Sequence, residues 1–185
     1  MRKVWLDVET TGLNKDTNGI IQLACIVEDF DGKAIDQFSI NMKPFKGCIY
    51  TKDAEKVHGK SEKQIAKYTP EIEALKLLIS WLSKHKIGKE QFQIAGYNSR
   101  FDLDFIDALF KRNDKFFWNF FHYYDIDVFA LVKILDLKGT FEGKESKKLV
   151  ALCNTFDIEI EAHDAMSDIK ATRKLYKKIM KRYIK

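Results

Sequence analysis

Strand-forming sequence fills the front of this chain, and helix-forming sequence dominates the rest. Residues 3–8 (Lys-Val-Trp-Leu-Asp-Val) read as a first strand, and residues 20–28, rich in Ile, Leu and Val, as a second. Residues 34–42 read as a third, joined to the second by the turn signal Asp31-Gly32, so these two form a hairpin. Behind them, residues 52–57 suggest a short helix stopped at His58-Gly59, and Ser61-Glu62 begins another that runs to Tyr68. Thr69 is placed to cap a longer helix with Pro70 in its first turn, and Ile72, Leu75, Leu78, Ile79 and Leu82 give that helix an apolar face. Residues 91–95 suggest a short strand. Residues 102–111 form a helix with Leu103, Ile106, Leu109 and Phe110 as its buried stripe, and further helices follow over 128–135, 147–155 and 165–184. Three strands followed by alternating helices and short strands predict an α/β fold, a mixed sheet with helices packed on it, in a single domain over residues 1–185.

Several classes are excluded at this stage. The apolar runs are only a few residues long, far short of the ~20 needed to cross a bilayer. The opening Met-Arg-Lys-Val-Trp-Leu-Asp reaches a charge, Asp7, too soon for the apolar stretch of a secretory leader. Cys25, Cys48 and Cys153 are odd in number and far apart with no C-x-x-C pair, which fits the reduced thiols of a cytoplasmic protein. The net charge of +5 conceals an asymmetry: residues 169–185 hold eight basic residues and no acid, so residues 1–168 sum to −3. On a helix those basic residues make one stripe, either a solvated outer face or a phosphate-tracking surface, while Ala171, Leu175, Tyr176, Ile179, Met180 and Tyr183 fall on the packing side. Residues 140–148 read as a mobile loop. The run from Phe116 to Tyr124, with seven aromatics in nine residues, can serve core packing, a dimer surface or base stacking.

The chemistry is carried by acids at element ends. Asp7 and Glu9 stand two apart at the end of the first strand, hence on one face, where two carboxylates repel unless a cation lies between them. Thr10-Thr11-Gly12 follows, a small-residue turn that lets a ligand approach the backbone. Asp102 opens the helix after the fourth strand, where it can also serve as a plain helix cap. His163 and Asp168 begin the last helix and share a site if His163 sits on the incoming loop. Four carboxylates and a histidine at the ends of three elements are what a two-metal site with a general base requires, and hard oxygen ligands favour Mg²⁺ or Mn²⁺.

These residues also form three ordered motifs. Val4-Trp-Leu-Asp-Val-Glu-Thr-Thr-Gly-Leu13 resembles the first motif of the DEDDh 3′–5′ exonucleases, the DnaQ-like group. Tyr97-Asn-Ser-Arg-Phe-Asp-Leu-Asp-Phe-Ile106 resembles the second, and His163-Asp-Ala-Met-Ser-Asp168 the third. Val57-His58-Gly59 resembles a short element between the first two, and Asp127 a recurrent helix start. Tyr97 and Val128 depart from the commoner His and Thr at their positions, outside the five core residues.

The resemblance implies a ribonuclease H-like sheet and two divalent cations held by Asp7, Glu9, Asp102 and Asp168, with Asp7 between them. It implies His163 as the acceptor of the attacking water's proton, since histidine ordinarily titrates nearest neutrality. It places Thr10, Thr11, Gly12 and Leu13 against the terminal nucleotide, with Leu13 wedged at its base, and His58 and Asn98 near sugar or phosphate. The products are nucleoside 5′-monophosphates released from single-stranded 3′ ends. Glu9-Thr10-Thr11-Gly12 differs from the Glu-Met-Thr-Gly of oligoribonucleases, which favours DNA and a proofreading or repair role. RNA trimming, as by an oligoribonuclease, and a catalytically silent nucleic-acid-binding or polymerase-associated module are the alternatives. Proofreading would need a separate DNA polymerase as partner, and the basic last helix could hold substrate or that partner; a homodimer mate is a further expectation.

Overall fold

The computed structural model describes residues 1–141 and 147–184. Its strands are β1 (Lys3–Thr10), β2 (Ile20–Glu28), β3 (Ala34–Lys43), β4 (Thr69–Pro70), β5 (Phe92–Gly96) and β6 (Phe121–Asp127). They form one sheet in the order β4-β3-β2-β1-β5-β6. The β1–β2 and β2–β3 pairs are antiparallel and the other neighbours parallel, the mixed arrangement expected. The helices are α1 (Lys52–His58), α2 (Glu62–Ile65), α3 (Glu71–His85), α4 (Ser99–Arg112), α5 (Val128–Leu137), α6 (Leu149–Thr155) and α7 (Ala165–Tyr183).

All nine residues of β2 are buried, because helices cover both faces of the sheet. Strand alternation divides the core in two. Val4, Leu6, Val8, Leu23 and Cys25 pack with Leu75, Leu78 and Leu82 of α3 and Phe105, Ile106 and Leu109 of α4. Trp5, Ala24, Ile26 and Ala95 pack on the opposite face with Val128 and Val132 of α5, Leu152 of α6, and Ile169, Leu175 and Ile179 of α7. Each such large side chain contributes about 1.5–3 kcal/mol on burial. Asp7 and Glu9 share the parity of Trp5, so they face the layer that contains α7.

Glu28 fastens α7 to the sheet. It is 1% exposed, accepts from the Trp5 indole N–H at 2.9 Å, and pairs with Lys3 at 3.7 Å, Arg173 at 2.8 Å and Lys177 at 3.3 Å. Part of the basic stripe therefore serves packing: Arg173 and Lys177 also donate to the Gly32 carbonyl.

Two expectations need correction. Thr69 and Pro70 do not start α3 as N-cap and first helical residue; they pair with Met42 and Lys43 as β4, and Pro70 is the cap. A residue before proline favours extended backbone, which the edge of β3 exploits. Asp102 does not open its helix; α4 begins three residues earlier, after Asn98 turns the chain at φ 60° with its N–H held by Asp127. The aromatic run supplies a six-strand sheet edge: Phe117 and Phe121 are buried, whereas Phe116, Trp118, Tyr123 and Tyr124 are exposed. Of the loop expected over 140–148, residues 142–146 lie outside the described residues. Among the described residues no helix is long and apolar enough to cross a membrane.

Candidate active site

β1 and β5 stay paired only from Lys3 to Trp5. Beyond Trp5 the strands separate, and the Val8 N–H turns to the Asp102 Oδ1 at 3.0 Å. A carboxylate from α4 thus completes the hydrogen bonding of β1 where the antiparallel and parallel halves of the sheet meet. Open α/β sheets place ligand crevices at such points. Gly96 permits the close approach that precedes the split, since a Cβ there would lie 3.1 Å from the Leu6 carbonyl oxygen.

The start of α7 is anchored on the other side. Gln22, register partner of Glu9, donates to Asp164 Oδ2 at 2.9 Å and accepts from the Ala165 N–H at 3.2 Å. Asp164 caps α7 through the Ser167 N–H at 3.0 Å. His163 precedes it in the left-handed region, φ 67°, a conformation uncommon for a residue with a side chain. Its N–H is accepted by Asp168 Oδ2 at 3.2 Å. His163 thus sits on the incoming loop and Asp168 in the first turn of α7. The donor atoms of Glu9, His163 and Asp168 all lie within 4.8 Å of one another.

Asp7 and Asp102 stand outside that tight trio, yet their charges act on it. Burial, then the charges of Asp102, Asp168 and Glu9, push the Asp7 carboxyl well above the usual range. Asp102 is likewise raised by burial, against the Val8 N–H that favours its ionised form. Burial, followed by Asp168, raises Glu9 to about 7; Lys60 opposes this. Burial raises Asp168 to about 6, with the His163 N–H and ring pulling the other way. Asp168 Oδ1 is buried with no hydrogen-bond partner among the described residues. Four carboxylates that repel one another, one with an orphaned oxygen, fit divalent cations with oxygen preference.

A cleft of about 620 Å³ opens beside Glu9, with walls that include Thr10, Gly12, Leu13, Thr51, Val57, His58 and Phe101. Leu13 projects into solvent, 87% exposed. His58 Nδ1 accepts the Lys60 N–H at 3.0 Å, and burial, then Lys60, lower its pKa. Gly12 is required by its neighbour as well as by any ligand, because a Cβ there would fall 2.6 Å from the Asn18 side chain.

Two expected contacts are not brought to the cleft. Thr11 is 1% exposed; its hydroxyl donates to the Ile49 carbonyl at 2.7 Å and accepts from the Gly19 N–H at 3.1 Å, so its side chain knits loops together. Asn98 is exposed at the start of α4 and is not among the cleft walls. Sequence reasoning missed Phe101, although it stands directly before Asp102 in the second motif, and it missed Lys60 and Gln22, which carry no motif signal.

A family model for exonucleases matches residues 4–176. Ribonuclease T of Buchnera aphidicola is 27% identical over 189 residues, covering 97% of this chain and 84% of that protein. The PolC-type DNA polymerase III of Bacillus cereus is 28% identical over 186 residues, covering 96% of this chain and 11% of the polymerase. Among solved structures, E. coli Exonuclease I in complex with a dT13 oligonucleotide superposes with a TM-score of 0.82 at 23% identity, covering 98% of this chain. A zinc-bound Exonuclease I–ssDNA complex does so with a TM-score of 0.81 at 22% identity, also over 98% of this chain. The chain spans 41% of the length of either Exonuclease I structure, so that likeness concerns the fold.

Proposed function

The chain belongs to the exonuclease family, as a DEDDh-type 3′–5′ exonuclease, and we propose that it trims single-stranded 3′ ends, DNA in preference to RNA, releasing nucleoside 5′-monophosphates. The family is divalent-metal dependent. Residues 1–185 act in this reading as one exonuclease domain. The observation that carries it is the buried, unpartnered Asp168 Oδ1 set among Asp7, Glu9 and Asp102.

Asp7, Glu9, Asp102 and Asp168 would hold two cations, Mg²⁺ or Mn²⁺. When bound, these supply ionisation of a water and neutralisation of charge on the scissile phosphate. His163 takes the proton of the water that attacks phosphorus, while the bond to the 3′-oxygen breaks. The left-handed turn at His163, tied by its N–H to Asp168, supports this role, since a ring nitrogen lies within 4.8 Å of Glu9 and Asp168 oxygens. Thr10, Gly12 and Leu13 receive the last nucleotide, with the Leu13 side chain against its base. His58, another wall of the cleft, contacts sugar or phosphate.

DNA is favoured by Glu9-Thr10-Thr11-Gly12, which lacks the Met of the oligoribonuclease motif. The likeness to Ribonuclease T favours RNA trimming as the second reading. The likeness to a PolC-type polymerase makes proofreading beside a separate polymerase a specific form of the first.

The test is digestion of matched 5′-labelled single-stranded DNA and RNA in Mg²⁺, Mn²⁺ and EDTA, with Asp7→Ala and His163→Ala as controls. The expected result is a ladder that shortens from the 3′ end of DNA faster than RNA and disappears in EDTA and in both variants. Folded, metal-binding protein that cleaves neither polymer would identify a silent binding module.

A further inference from the structure

Lys60 lies beside a wall of the cleft and, among the described residues, belongs to no ion pair. α1 ends at Gly59, whose left-handed φ of 69° reverses the chain. The reversal lays Lys60 back on His58: its N–H binds His58 Nδ1 at 3.0 Å and its Nζ reaches the His58 carbonyl at 3.5 Å. His58 is a wall of the cleft. Lys60 is half-buried, and no carboxylate among the described residues lies within 4.0 Å of its ammonium. Lys3 and Lys147, also half-buried, each have a carboxylate partner.

We propose that Lys60 is a substrate-binding residue of this cleft, its ammonium contacting a non-bridging phosphate oxygen of the bound strand beside the acidic trio. This rests on the exonuclease reading above. Its place is fixed by geometry: Nζ lies 3.5 Å from the carbonyl oxygen of His58, the last residue of α1 and a wall of the cleft. A phosphodiester drawn toward four carboxylates needs positive charge beyond the resident cations, and Lys60 supplies it from the protein. An ammonium that already paired with a carboxylate would have to break that pair to do so; Lys60 has none to break. Lysine also suits the role because a flexible point charge can follow a phosphate whose neighbouring sugar is being removed.

The test reads phosphate contacts directly. On single strands each neutralised phosphate contributes about −0.7 to the slope of log affinity against log salt. The measurement is kcat/KM for a 5′-labelled oligothymidylate at limiting substrate in Mg²⁺, across a series of NaCl concentrations, for the wild type, Lys60→Met, Lys60→Arg and, as a control on the neighbouring helix, Lys63→Met. The expected result is a slope shallower by about 0.7 in Lys60→Met alone, with Lys60→Arg and Lys63→Met matching the wild type. Thermal melts confirm equal folding. A Lys60→Met enzyme that is slower but keeps the wild-type slope overturns the proposal, for Lys60 would then act only by holding His58. Wild-type protein that cleaves no oligonucleotide overturns the exonuclease reading itself, a result distinct from an unchanged slope in an active enzyme.

Discussion

Glu9→Gln is expected to stabilise the metal-free protein, the reverse of what removing a buried charged group usually does. Glu9 is 9% exposed and its carboxylate has no hydrogen-bond donor among the described residues. Its pKa rises from the ordinary 4.5 to about 7 because burial, then the charge of Asp168, disfavours ionisation. A group raised on folding gives its full stability below the unfolded value and loses it as pH climbs through the folded one. The loss is about 1 kcal/mol at pH 5 and about 3 kcal/mol at pH 8. Glutamine keeps the shape and cannot ionise, so in EDTA at pH 8 the variant should melt roughly 6–12 °C above the wild type, with a gap of a few degrees at pH 5. Millimolar Mg²⁺ or Mn²⁺ should invert the order, because the cation stabilises the carboxylate that the variant lacks. Scanning calorimetry at the two pH values, with EDTA and with metal, measures all four states. Equal or lower melting of Glu9→Gln in EDTA at pH 8 would refute the claim that this acid is held at a cost for want of a cation.

Other outcomes follow from the same geometry. Metal should raise the wild-type melting temperature, by about 2.7 kcal/mol of stability at a hundredfold excess over Kd, and Asp168→Asn should abolish most of that rise in a metal titration. The acid limb of the pH–rate profile should rise as Glu9, at about 7, and Asp168, at about 6, give up their protons, and its midpoint should move to lower pH as metal concentration increases, since protons and cations compete for the same oxygens. Leu13→Ala should raise KM with little effect on stability, because the side chain is 87% exposed at the cleft; steady-state kinetics beside a thermal melt separate the two. Glu28→Ala should cost about 3–5 kcal/mol in urea denaturation, because it leaves Arg173 without its carboxylate partner in the interior.

The sequence made the strands legible where hydrophobic periodicity was strong. β2 occupies residues 20–28 as expected, since a stretch with seven apolar residues in nine, bounded by turn signals, has few other uses. It failed where pairing with residues distant in sequence overrides local preference. Thr69-Pro70 carries an ordinary helix-start signal, but the free edge of β3 recruits it as a strand. α4 begins before Asp102 because Asp127, 29 residues away, holds the Asn98 N–H at 2.8 Å, and no local pattern reveals that. The acids were legible because each stands at the end of an element and in a motif. Lys60 and Gln22 were not, since a single lysine or glutamine acquires its meaning only when the chain brings Glu9 and Asp164 beside it.

Two buried glutamates on paired strands set the proposed metal site apart from ordinary packing. Glu28, at the end of β2, is 1% exposed and surrounded by Lys3, Arg173, Lys177 and the Trp5 indole. Glu9, near the end of β1, is nearly as buried and faces Asp168 and Asp7. The chain can therefore satisfy a buried carboxylate, and at one end of this sheet it does so with three cations. At the other end, where β1 parts from β5, it gathers acids and leaves an Asp168 oxygen without a donor among the described residues. An uncompensated buried charge costs several kcal/mol, so such a cluster persists only if something outside the chain completes it. The proposed divalent cation would complete it, and the adjoining cleft and Lys60 fit the proposed phosphate. Replacing Glu28 should therefore destabilise the fold with or without metal, while replacing Glu9 should do so only when metal is present.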